Sequence, residues 1–173
     1  GHLVSLTMTV QPDFGLAYHA PVSGKIYLDE IEAAHDTARE LSMATSERLA
    51  GQLESFESRW AATAVGALGG VAAMHGHYCD IAVIGRPDDG PQEALRSAVF
   101  EGILFDSGRP ALMLPPGWGE RPVATKILVA WTPTREATRA LHDAGPMIRA
   151  AGGATVAIVD PEPDSDGHGP VPG

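Results

Sequence analysis

The sequence predicts an α/β fold, a doubly wound and mostly parallel sheet. Three observations predict it. Short apolar runs alternate with stretches of helical periodicity, as in "CDIAVIGR" (79–86), then "PQEALRSAVFEGILF", then "RPALMLPPG". The run "CDIAVIG" is continuous rather than alternating, as in parallel strands covered on both faces. The same order restarts near the end, with "KILVAW" (126–131), a helical stretch and "ATVAIVD".

The elements follow in order. "HLVSLTMTV" (2–10) is rich in β-formers and reads as a strand. "QPDFGLAYHAPVSG" has two prolines and two glycines and reads as a loop. From about Ile26 to Phe56 the period becomes helical: Ile31, Ala34, Ala38, Leu41, Leu49, Leu53 and Phe56 share a face. The carboxylates from Asp29 to Glu54 decorate the rest as a solvated face, and Thr45-Ser46 marks a candidate break. "RWAATAVG" (59–66) is a weaker strand, and "LGGVAAMHGHY" a short helix despite its glycines. Residues 91–107 form a helix on which Leu95, Val99 and Ile103 step by four beside Ala94 and Ala98. A short buried strand then ends at Pro115, Pro116 and Gly117. After "KILVAW", Thr132 offers an N-cap and Pro133 a first helical position. The helix carries Ala137, Leu141, Ala144, Ile148 and Ala151 on one face, and Gly152-Gly153 ends it.

Composition bounds the function. The 173 residues are 44% hydrophobic and 20% charged, which suits a globular chain of one domain or slightly more. No apolar run approaches the roughly 18 residues of a membrane span, and no secretion-signal pattern is present. A single cysteine, Cys79, allows no internal disulfide. A cytoplasmic setting is therefore expected. The net charge of −10, with scattered basic residues, argues against a nucleic-acid partner.

Taken together, "CDIAVIGRP", the helix after it, "SGRPALMLPPGW" and "KILVAWTPTREATRALHDAGPMIRAAGGATVAIVD" resemble the universal stress protein family. That resemblance implies the adenine-nucleotide-α-hydrolase-like sheet. It implies a tandem protein clipped at both ends. Residues 1–117 correspond to a first repeat without its opening strand and helix, and 118–124 to a linker. Residues 125–160 correspond to the opening strand, helix and strand of a second repeat, and 161–173 to a flexible tail. The absent opening strand is central in the sheet, so "KILVAW" is a candidate to fill the gap. The resemblance also implies a homodimer or pairing between repeats.

Many members of that family bind ATP through a glycine, two residues, a second glycine, nine residues, and Gly-Ser or Gly-Thr. Backbone amides at a helix start then cup the triphosphate. Here Gly85 matches the first glycine, Asp88 stands at the second, and Ser97-Ala98 replaces the final pair, one residue short. Pro87 and Pro91 lack a backbone donor. Asp88 and Asp89 set negative charge beside the phosphate position. At ~6 Å and an effective dielectric of roughly 20 to 80, each charge pair repels by about 0.7 to 3 kcal/mol. The loop therefore reads as degenerate, and no resident cofactor is expected. If ATP does bind, the expected contacts are Gly85, Arg86, Ser97 and Ala98, with Ala130, Trp131 and Thr132 on the neighbouring strand end.

Other constellations read as structural. His75-x-His77 near Cys79 has zinc-like residue types but no second cluster, so surface histidines beside a core cysteine are expected. Ser107-Gly108 ends a helix instead of following a strand, unlike a nucleophile elbow. Asp80 reads as a turn or cap residue and Asp160 as the start of the tail. With no catalytic cluster, the sequence predicts a non-catalytic binding or regulatory protein. Its alternative is an ATP-binding stress switch that uses a site in the second repeat.

Overall fold

The computed structural model describes residues 1–13, 24–87, 90–119, 121–122 and 125–159. The chain divides into two compact units, Gly1–Pro116 and Gly117–Gly173. It is a mixed α/β protein whose described strands pair in parallel, two by two. Among the described residues no ladder joins one pair to the next. No described helix is long and apolar enough to cross a membrane.

In the first unit, β1 (Leu3–Val10) runs parallel to β2 (Phe56–Thr63), in register from Leu3↔Phe56 to Val10↔Thr63. The 27-residue α1 (Gly24–Ala50) connects them and packs on both strands. Its buried positions are Tyr27, Ala38 and Ser42, steps of eleven and four along one face. Ala38 is fully buried, and its small side chain brings the helix backbone close to the sheet. Ser42 completes the contact: Ser58 Oγ donates to the Ser42 carbonyl at 2.9 Å. That bond uses the one Ser58 hydroxyl hydrogen, so Ser42 Oγ is the donor in the 2.8 Å bond to Ser58 Oγ.

Two expectations for this helix change. Leu41 is 51% exposed, because the inward step from Ala38 is four residues and lands on Ser42. The helix stops at Ala50, where Gly51 and Gln52 turn the chain and Phe56 opens β2. The strand expected at 59–66 therefore lies three residues earlier. Thr45 does not break the helix, since its Oγ donates back to the Leu41 carbonyl at 2.8 Å. The carboxylates Asp29, Glu30, Glu32, Asp36, Glu40, Glu47 and Glu54 are all exposed, as the solvated-face reading expects.

A 3₁₀ turn (Val65–Ala67) leads into α2 (Leu68–Gly76). This helix contains three glycines, a poor composition by propensity. Packing outweighs that cost. Leu68, Ala72, Ala73 and Gly76 are buried on one face, against α3 (Glu93–Glu101) and the π-helical turn Gly102–Asp106. The approach is backbone to backbone. A Cβ on Gly69 would lie 2.9 Å from the Ala98 carbonyl oxygen, and one on Gly102 would meet the Gly69 backbone.

The strand β3 (Ala82–Gly85) pairs in parallel with β4 (Ala111–Leu114). It is shorter than expected and is not covered on both faces: Val83 is 56% exposed, because β4 is its one described strand neighbour. Cys79 lies outside it, in the turn after α2, where its thiol donates to the Gly76 carbonyl at 3.1 Å. The cysteine is half-buried and belongs to a helix end, not to a core strand.

The second unit holds β5 (Leu128–Trp131), α4 (Arg135–Asp143), α5 (Gly145–Ala151) and β6 (Thr155–Ile158), with β5 and β6 parallel. The cap of α4 is Thr134, two residues later than expected; its Oγ accepts from the Ala137 amide at 3.2 Å. Pro133 thus sits outside the helix. The single expected helix is two, because Pro146 lacks an amide and starts α5 instead of continuing α4. Gly152 ends α5 in the left-handed region at φ 76°, as its glycine predicts.

Candidate functional site

The two places singled out by the sequence lie at carboxyl ends of parallel strands, where ligands of open α/β sheets bind. Gly85 is the last residue of β3, and the next residue, Arg86, donates its amide to the Leu114 carbonyl at 2.8 Å. A Cβ on Gly85 would have no atom within 4 Å, and Gly85 has no positive φ. Asp88 and Asp89 lie outside the described residues. Beyond them the Glu93 amide donates to the Gly90 carbonyl, and the Arg96 amide to the Gln92 carbonyl, both at 3.0 Å. The start of α3 carries the Glu93 carboxylate in its first turn.

Ser97 and Ala98 are the fifth and sixth residues of α3. Only the first four amides of a helix lack intrahelical partners, so these two lie past the donor end. Ala98 instead supports helix packing, since its carbonyl is the surface against which Gly69 of α2 lies.

Ala130 and Trp131 end β5, and Thr132 follows them. Trp131 is half-buried and walls an open groove of about 680 Å³ with Arg135, Arg139 and His142 of α4. Those three basic residues step by four and three, so they share one helix face. Arg139 Nε donates to Asp143 Oδ2 at 2.9 Å, and the His142 ring lies 3.4 Å from Asp143 Oδ1. Burial raises the Asp143 carboxyl, but those two hydrogen bonds and charges outweigh it and hold the group below the usual carboxylate range. The basic stripe is visible in the sequence as Arg-x₃-Arg-x₂-His, a spacing that ordinary solvated helix faces also carry.

The histidine pair belongs to α2 and its end. His75 is half-buried, while His77 is exposed and gives its carbonyl to the Arg109 guanidinium at 3.1 and 3.2 Å. Among the described residues no group of three His, Cys, Asp or Glu stands close enough to hold a metal. Ser107 is buried and bonded, donating to the Ile103 carbonyl and accepting from the Arg109 amide. It closes a turn. Asp160 lies outside the described residues.

Burial, then the Arg59 charge, pushes the His75 imidazole down, against an opposing pull from Glu57. A histidine depressed in the fold favours folding when neutral. Its contribution is complete above the unfolded value near 6.5 and is lost as pH falls through the lower folded value. Thermal midpoints are expected to fall as pH is lowered through and below about 6.5, and His75→Gln to flatten that segment of the profile. An unchanged slope in the variant would assign the effect elsewhere.

Set against known proteins, the chain matches no family model, no curated protein and no solved structure at a significant level.

Proposed function

We propose that this chain is a universal-stress-like module that binds or regulates without catalysing, and that its first nucleotide loop is degenerate. The observation that carries the reading is the β3–α3 junction. A triphosphate there would need free amides at a helix start. Instead, the Arg86 and Glu93 amides on either side of the loop are taken by carbonyls. Pro87 and Pro91 offer none. Glu93 adds a negative charge where the helix end would otherwise favour an anion. Ser97 sits beyond the donor turn.

In this reading β2-β1 and β3-β4 are two halves of one doubly wound sheet that lacks its central strand. β2 carries Glu57 and Arg59, as an outer edge does, and β1 and β3 carry none; β4, the other outer strand in this reading, carries none either. Such a protein works by association, as a homodimer in the cytoplasm.

One observation favours a second reading, an ATP-binding switch in the second repeat. The groove of β5 and α4 is lined by Trp131, Arg135 and Arg139, an aromatic ring and two cations, residue types that suit an adenine and a phosphate. Titration calorimetry with Mg–ATP separates the two. The degenerate-loop reading expects no saturable heat up to about 1 mM nucleotide. Micromolar binding that Trp131→Ala abolishes would establish the second reading. Micromolar binding that Trp131→Ala leaves intact would overturn both.

A further inference from the structure

At the carboxyl end of β1 an open cleft of about 580 Å³ lies between the strand and α1. Its size suits a small organic ligand. Val10, Ala33, Ala34 and Val65 give it apolar walls, with the two alanines keeping the helix side open.

The side-chain polar groups in this cleft are nearly all acceptors. Thr9 Oγ gives its hydrogen to the Ala34 carbonyl, and Thr37 Oγ gives its own to the Ala33 carbonyl, both at 2.8 Å. Their oxygens are left with lone pairs only. Tyr27 beneath the rim donates its hydroxyl hydrogen to the Pro12 carbonyl at 2.8 Å. Gln11 Oε1 lies 3.1 Å from His35 Nε2, which leaves the Gln11 amide nitrogen as the one side-chain donor among the described lining residues. Two carboxylates, Asp13 and Glu30, stand at the lip. No Lys or Arg is among the described residues that line it. Burial, and after it the Asp13 charge, pushes the Tyr27 phenol up, so the phenol stays a neutral neighbour of that carboxylate.

We propose that this cleft binds a small organic cation, an ammonium group carried on an apolar body. The ammonium brings three donors to a rim of acceptors and two negative charges, and the body covers the aliphatic walls. An anion of the same shape would meet lone pairs and carboxylates instead. Charge complementarity therefore selects the sign of the ligand, while the cleft volume limits its size.

The test uses the whole chain, phenethylammonium as probe and 3-phenylpropanoate as its charge-inverted counterpart, followed by amide chemical-shift perturbation. The ammonium is expected to saturate with a millimolar constant and shift residues 9–13 and 30–37, and the carboxylate to shift none of them. Glu30→Gln, a change on an exposed helix face, is expected to weaken the ammonium about four- to twentyfold, from one charge at ~5 Å in an effective dielectric of roughly 40 to 80. Glu47→Gln, on the same helix outside the cleft, is expected to leave it unchanged. Equal binding of the two probes, no saturation by the ammonium at about 50 mM, or equal effects of the two variants would each overturn the proposal. Each outcome is independent of whether ATP binds at β3 or β5.

Discussion

Gly102→Ala is expected to destabilise the first unit by about 3 kcal/mol, a loss on the order of 10 °C or more in its thermal midpoint. The reason is geometric. A Cβ at 102 would run into the carbonyl oxygen of Gly69 and come within 2.5 Å of its Cα. Both atoms belong to backbone, so no side chain can swing aside. Relief requires α2 to move off the π-helical turn, which would open the face that buries Leu68, Ala72, Ala73 and Ile103. Gly70→Ala is the matched control. It lies one residue from Gly69 in α2, and a Cβ there has nothing within 4 Å. It should raise stability by about 0.5–1 kcal/mol, the usual gain of alanine over glycine inside a helix. Thermal melts followed by circular dichroism read both variants. A Gly102→Ala protein that melts with the wild type would mean that the helices do not approach this closely.

The same pair of helices shows where sequence reasoning reached and where it stopped. The α/β class, the parallel pairing and the position of nearly every element were legible, because apolar runs and helical periods are local signals. "LGGVAAMHG" was legible as a helix, but the use of its glycines was not: the contact of Gly69 with Ala98 and Gly102 spans about thirty residues and leaves no periodic trace. Ser42 was missed for a related reason. A buried serine looks polar until its partner Ser58 is seen on the facing strand. The cap moved from Thr132 to Thr134 because both threonines fit the pattern, and only the backbone decides which one turns. At the candidate nucleotide loop the residue types were readable. That Ser97 and Ala98 lie in the second turn of α3, past the free amides, depended on where the helix begins. The acceptor-lined cleft at β1 had no sequence signature, since its character comes from the hydrogens that Thr9 and Thr37 direct to α1 carbonyls.

The segment 117–173, produced alone, is expected to show no cooperative unfolding transition. Among its described residues the second unit has two short strands, and none of those residues is buried. Leu128 is 69% exposed, Val156 56% and Val159 88%, so the apolar side chains that a parallel pair must cover stand in water. A two-stranded sheet with one layer of helix is below the size that sustains a core. Local devices remain, namely the Thr134 cap and the Arg139–Asp143 pair four residues apart. They are worth about 1 kcal/mol and a few tenths, enough for fraying helix and not for a fold. The segment 1–116 differs. All six buried apolar side chains of the described chain, from Tyr27 to Ile103, lie within it, and it should keep a cooperative melt. Amide exchange and thermal circular dichroism on the two segments decide the matter. A sharp transition from 117–173 would show that this unit is self-sufficient, and would remove the physical pressure toward association that its bare strand face creates. Its absence, together with recovery of protection in the whole chain at rising protein concentration, would mean that the bare face of β5 and β6 is covered by a neighbour.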